Sequence, residues 1–421
     1  MRMILVVLAV LFVTTAWGNE TDGTASCSQE PSAGAVVNAA VQGASVTSET
    51  SRAEWMSGRF GVMVHWLFPN GGTKPDPRMM GENAFGHSTR YVDEPVDAFD
   101  LEGFLADVDR SGAQWVIFTV GQNRCAWASP NAVINRRIGK GFCSKRDLVL
   151  EMGQALHARG KRLIAYLPMD CMHPTLQGPF AWIRDDSPDW KEDAYGREEY
   201  LRRWAEVIRE WSVRWGRFCD GWFFDGTHHG RFPTGVDGEI VRAAVAAGNP
   251  DAAISFNFGV PLRMKAGEAP KGLLQYAGSD YLACEIGAIY RSKVLISLPK
   301  DPEELWMPKS KTIPGTTCLY HSLFPIDGFW GGFNPYPPKG SWLRAEFHET
   351  RPEMCDQAAL TRMREAGEWP APVYAEEQLG RFLRDFTSVG GGVTLNVGIN
   401  ERGRLNPKSV KLLERICATQ Q

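Results

Sequence analysis

Two carboxylates in this chain close apolar runs, Asp225 in DGWFFDG (220–226) and Glu285 in SDYLACEI (279–286). A lone carboxylate withdrawn from water costs on the order of several kcal/mol, so each must find partners. One reading makes Asp225 a loop residue that caps the next helix or pairs with Arg231, and lets Asp280 share whatever role Glu285 has. The other sets the two across a single sugar, one attacking carbon and one protonating the departing oxygen, which in retaining hydrolases needs carboxyl groups about 5–5.5 Å apart. His228 and His229 follow within four residues of Asp225. Adjacent loop histidines point apart, and neither an HExxH motif nor a third clustered ligand accompanies them, so they suit substrate hydroxyls or a surface better than a metal. No G-x-S-x-G elbow supports a serine nucleophile. This chemistry calls for no metal and no cofactor.

Other polar residues finish apolar runs in the same manner: His65 after GVMV, Gln122 and Asn123 after FTVG, then Tyr166, Asn257 and Asn396. A single such residue is ordinary, but their recurrence describes a polar rim. Trp66, Trp127 and Trp330 would supply apolar walls beside it, because indole faces suit the apolar faces of sugar rings.

The elements that must position these residues alternate in type. Strands are expected at 60–66, 114–120, 162–168, 220–226, 252–259, 279–286, 316–323 and 392–398, with amphipathic helical stretches such as RDLVLEMGQALHARG and YLRRWAEVIREWSVRWG between them. Several strands are near-continuous apolar runs, as in a parallel sheet buried on both faces. Eight strands alternating with helices predict an α/β fold of the (β/α)8 TIM-like barrel type, in which chemistry sits where strands end. A doubly wound sheet competes, but the glycine-rich phosphate turn is missing after the first strand. A stretch around 292–345, rich in Pro, Gly and aromatics, reads as a long loop excursion, and residues 51–421 as one catalytic domain.

Composition narrows the classes further. The 421 residues are 43% hydrophobic and 23% charged with a net charge of −3, which suits a globular chain and gives no basic patch for nucleic acid. Residues 1–18 read as a signal peptide: an Arg, an apolar stretch from Ile4 to Val13, then Ala16-Trp17-Gly18. The stretch is short for a membrane span, so an exported chain, cleaved near Gly18 and not inserted in a membrane, is expected. Residues 19–50 read as a flexible linker, and the nine cysteines show no CxxC pairing.

Five segments, in order, resemble the α-L-fucosidases, family 29 of the glycoside hydrolases: WMSGRFGVMVHW, SGAQWVIFTV, SKRDLVLEMGQALHARGKRLIAYL, GWFFDG and LGRFLRDFTSVGGGVTLNVGINERGRL. The resemblance runs from about Trp55 to the C-terminus. It implies a (β/α)8-like barrel that cleaves a sugar with retention, using neither metal nor cofactor. It implies Asp225 as nucleophile, Glu285 as acid/base, and His65 and Tyr166 at the sugar. Few residues follow NVGINERG, so the β-sandwich that many members carry is expected to be absent. Two departures stand out. Gly121-Gln122-Asn123-Arg124 replaces the family's paired histidines, and Phe256-Asn257-Phe258 replaces its NNR arginine. Both alter contacts to the ring, and exchanged hydrogen bonds to hydroxyls change which sugar fits. The expectation is an exported retaining exo-glycosidase acting on a glycan. The alternatives are the same chemistry on a sugar other than fucose, or a carbohydrate-binding protein on a decayed glycosidase fold.

Overall fold

The computed structural model describes residues 51–66, 89–121, 126–137, 139–169, 198–226, 236–257, 278–283, 288–290, 293–295, 307–327, 368–369, 371–400 and 402–419. The signal-like segment, the linker, Gln122, Asn123, His228, His229, Glu285 and Trp330 lie outside them.

Among the described residues the strands are β1 (Phe60–Val64), β2 (Trp115–Thr119), β3 (Arg162–Pro168), β4 (Gly221–Asp225), β5 (Ala253–Phe256), β6 (Ala288–Tyr290), β7 (Lys293–Leu295), β8 (His321–Pro325) and β9 (Gly392–Asn396). Seven of them form one curled sheet in the order β5-β4-β3-β2-β1-β9-β8. Every pairing in it is parallel. The arrangement is that of a (β/α)-type barrel, as the alternation of runs predicted. β7, which pairs antiparallel with β6, and β8 both fall within the stretch expected as a loop excursion.

The two edges of the sheet meet a common segment. The Asp280 amide donates to the Ile254 carbonyl of β5 at 2.8 Å, the Leu319 amide to the Asp280 carbonyl at 2.9 Å, and the Leu282 amide to the Leu319 carbonyl at 2.9 Å. Residues 280–282 therefore bridge β5 to the chain entering β8. They stand where a sixth barrel strand was expected, yet make an isolated bridge (Tyr281 to Leu319) rather than a full ladder. The Asp280 side chain anchors the bridge. It accepts from the Ile254 amide at 2.8 Å and Arg242 at 2.7 Å, while Ser51 holds its carbonyl at 2.7 Å.

Side-chain parity sorts the strands into two faces. Val62, Val64, Val116, Phe118, Leu163, Ala165, Trp222, Phe224 and Ile254 belong to the large apolar cluster shared with helical residues such as Phe104, Leu148 and Trp211. Met63, Trp115, Ile117, Ile164, Tyr166, Phe223, Ala253, Tyr281, Leu319 and Leu323 form a second cluster inside the curl. Trp115 fits there because residue 61 is glycine: a Cβ at Gly61 would lie 2.3 Å from the indole nitrogen.

Helices α1 (Thr89–Asp97), α2 (Leu101–Ser111), α3 (Ala132–Arg137), α4 (Leu148–Ala158), α5 (Glu198–Trp215), α6 (Val236–Ala246), α7 (Glu376–Ser388) and α8 (Pro407–Thr419) accompany the sheet. Their starts are legible in local chemistry. Asp100 and Asp147 accept from the third amide of α2 and α4, satisfying donors that have no partner within the helix. Arg404 forks onto Asp107 with two 2.9 Å contacts, tying the approach to α8 back to α2. No described helix is long and apolar enough to cross a membrane.

Candidate active site

Asp225 is the last residue of β4. Trp222 and Phe224 face the helices, where Trp222 stacks on Trp215 at 5.3 Å and Phe224 on Phe256 at 5.5 Å. Alternation then turns Asp225 to the inner face with Phe223. The aromatic run that precedes the carboxylate is core, and the carboxylate stands at its rim.

Two donors hold that carboxylate. The Tyr166 hydroxyl of β3 donates to Oδ2, and the Asn257 amide, one residue past β5, donates to Oδ1 at 2.7 Å. Both are the complement of an acceptor-only group. The Asn257 backbone is fixed in turn by its amide donating to the Phe224 carbonyl at 2.6 Å, and the Met169 amide donates to the Asp225 carbonyl at 2.7 Å. Side chain and main chain of Asp225 are therefore both tied to the neighbouring strand ends.

His65 lies one residue past β1. Its Nδ1 is 3.1 Å from Oδ1 of Asn396, the last residue of β9. Its ring meets Tyr166 edge to face, with centroids 5.1 Å apart. Burial lowers its pKa, against the Asn396 hydrogen bond and the Asp225 charge, which both raise it. A neutral imidazole is the form favoured at neutral pH. His65, Tyr166, Asn257 and Asn396 are buried, whereas Asp225 is half-buried.

The structure brings together four residues singled out from sequence, His65, Tyr166, Asp225 and Asn257, at the carboxyl ends of four barrel strands. Two of them, Tyr166 and Asn257, each give a hydrogen bond to Asp225. The structure also adds Asn396, legible beforehand only as a strand-end polar residue. Two expected walls belong elsewhere. Trp66 packs on Phe99 and Phe118, and Trp127 sits fully buried between Trp204 and Trp211, all in the sheet–helix core. Trp66 follows inward-facing His65 and so turns outward. Trp127 crowds Gly121, where a Cβ would lie 2.3 Å from the indole. Asp280 is occupied as the anchor of the bridging segment and offers no second carboxylate at the rim. Among the described residues, no group of three or more His, Cys, Asp or Glu is placed to hold a metal ion.

A carboxylate held by donors at the open end of a barrel can attack an electrophilic carbon or steady a developing cation. The sequence matches no family model and no curated protein. Solved structures do share the fold. Endo-fucoidan hydrolase P5AFcnA from glycoside hydrolase family 107 is 15% identical over 87% of this chain and 92% of its own, with a TM-score of 0.54. Alpha-L-fucosidase isoenzyme 1 from Paenibacillus thiaminolyticus is 16% identical over 90% of this chain and 76% of its own, with a TM-score of 0.52. A variant of the family 107 endo-fucoidan hydrolase MfFcnA4 is 16% identical over 87% of this chain and 53% of its own, with a TM-score of 0.52, so this chain spans about half the length of that protein. These likenesses show a glycoside hydrolase-like barrel fold.

Proposed function

We propose that the protein is an exported retaining glycoside hydrolase of α-L-fucosidase type, releasing a terminal sugar from a glycan. The observation that carries this reading is the half-exposed Asp225 carboxylate, gripped by Tyr166 and Asn257 at the carboxyl end of a barrel strand. In the first step an Asp225 oxygen attacks the anomeric carbon as the glycosidic bond breaks. Glu285 gives its proton to the departing oxygen. In the second step Glu285 takes a proton from water, the water oxygen attacks the same carbon, and Asp225 leaves as carboxylate. Glu285 lies two positions beyond Ala283, whose side chain belongs to the inner cluster, and this spacing supports its assignment. His65 binds a ring hydroxyl, with Gln122, Asn123, His228 and His229 as further polar contacts and Trp330 as an apolar wall. The signal-like residues 1–18 support export.

A second reading, internal cleavage of a fucose polymer by the same chemistry, is favoured by the likeness to P5AFcnA, which covers 87% of this chain. Product size separates the two: free monosaccharide for terminal release, oligosaccharides for internal cleavage. The deciding experiment is Asp225→Gly with added azide. Loss of hydrolysis with recovery as a glycosyl azide supports the nucleophile, and near-normal hydrolysis by the variant would sink the proposal.

A further inference from the structure

A cavity of about 420 Å³ lies at the end of the barrel away from Asp225, among Arg52, Trp55, Arg162, Asp220, Asn249 and Asp251. Arg162 opens β3, Asp220 immediately precedes β4, and Asn249 and Asp251 precede β5, so the turns feeding neighbouring strands build it. The length of β4 separates Asp220 from Asp225, a rise of roughly 16 Å. The volume is that of a small-ligand pocket.

The buried Asp220 carboxylate accepts from Arg162 Nη1 at 2.6 Å and from the Leu163 amide at 3.0 Å, and lies 2.8 Å from His157 Nε2. Arg162 is thereby held with its guanidinium 5.1 Å from the centre of the half-buried Trp55 ring. Its Nε and Nη2 meet no acceptor among the described residues. Arg52 spends Nε on the Pro250 carbonyl at 3.1 Å and Nη1 on Asp280 at 3.4 Å, which leaves Nη2. Asn249 shapes the facing turn, donating to the Cys219 carbonyl at 2.9 Å and accepting from the Asp251 amide at 3.1 Å. The exposed Asp251 carboxylate makes no hydrogen bond among the described residues. Charge is balanced here: Arg52, Arg162 and Arg242 stand against Asp220, Asp251 and Asp280. An anion would meet Asp251 and a cation the two guanidiniums, whereas a neutral polyol both donates and accepts.

We propose that this cavity is a second carbohydrate site, which takes a neutral sugar unit. Arg162 and Arg52 donate to its hydroxyl oxygens, Asp251 accepts from its hydroxyls, and the Trp55 indole forms one wall. The site takes no part in bond cleavage and does not rest on the role given to Asp225.

The test is a titration of protein carrying 15N-labelled tryptophan, with the Trp55 indole signal identified by its loss in Trp55→Phe. The probes are D-galactose, D-mannose and L-fucose, with phosphate, acetate and glycine as charged and zwitterionic controls. At least one sugar is expected to shift the Trp55 signal saturably, and to do so equally in Asp225→Gly. Asp251→Ala removes a side chain with no bond to the fold, so it should weaken that binding about tenfold while unfolding and hydrolysis stay unchanged. A Trp55 signal unmoved by every sugar, or moved only by the controls, would overturn the proposal. So would undiminished sugar binding by Asp251→Ala, or a response that disappears in Asp225→Gly.

Discussion

Tyr166 and Asp225 are bonded across two strands but are not register partners. The Cα of Tyr166 is paired with Phe223, and its ring stacks on the Phe223 ring with centroids 5.6 Å apart and planes within 15°. The hydroxyl therefore reaches forward by two residues to Oδ2 of Asp225. One side chain packs the inner core with its ring and holds the candidate nucleophile with its tip, the division of labour for which tyrosine is suited.

Tyr166→Phe keeps the ring and deletes that tip. A hydrogen bond to a charged group contributes about 1.5–3 kcal/mol, so kcat should fall about 10- to 100-fold with KM little changed. Steady-state kinetics on an aryl glycoside checks this. A raised KM with intact kcat would assign the hydroxyl to the sugar instead.

Trp127→Phe probes the correction made for the tryptophans. Buried between Trp204 and Trp211, the indole should matter to stability and not to substrate. The expected result is a loss of about 1–3 kcal/mol by denaturant unfolding with unchanged KM. A higher KM at unaltered stability would return Trp127 to the binding site.

Asp280→Ala removes the anchor of the bridge between β5 and β8. It leaves Arg242 and the Ile254 amide without the carboxylate that meets them at 2.7 and 2.8 Å. Because the arginine is a quarter exposed, losing this pair and the amide's acceptor costs about 1–3 kcal/mol, to be read from chemical unfolding. An effect within experimental error would mean that the bridge is held by its main chain alone.

His321 predicts an acid limit to stability. Its Nδ1 donates to the Leu282 carbonyl at 3.0 Å and its Nε2 accepts from the Thr394 hydroxyl at 2.8 Å, which itself accepts from the Trp115 indole at 2.9 Å. Burial lowers its pKa from the ordinary 6.5 to about 4. Between those values the unfolded chain takes up a proton and the folded chain does not. Stability is full above about pH 6.5 and falls as pH drops toward 4, by about 3 kcal/mol for this one group. His65, whose pKa is also lowered, acts in the same direction. Unfolding curves of His321→Gln should show a flatter slope across that window, and an equal slope would remove His321 from the account.

The sequence disclosed the strands that are continuous apolar runs, because burial on both faces leaves little else to read. β8 was displaced: it was expected at 316–323 and is found at His321–Pro325, since Thr316 and Cys318 belong to a turn closed by the Thr316 hydroxyl. At the site, Asp225, His65, Tyr166 and Asn257 were visible as polar ends of apolar runs. That Tyr166 and Asn257 donate to Asp225 was not, because hydrogen-bond direction depends on how adjacent strands are registered. Trp66 was misplaced although the signal was available: inward Met63 and His65 make residue 66 outward by the period of two.

A ring of strands needs a clasp, and here the clasp is the segment 280–282. It joins Ser51, Ile254 and Leu319, so it is built from contacts as far as 229 residues apart along the chain. Closure of so long a loop is entropically late in folding, and a bridge with few ladder bonds is the place where a closed ring most readily parts. The same segment leads, two residues past Ala283, to Glu285. In the chain that residue follows the clasp by three positions, while the seam between β5 and β8 depends on the clasp itself.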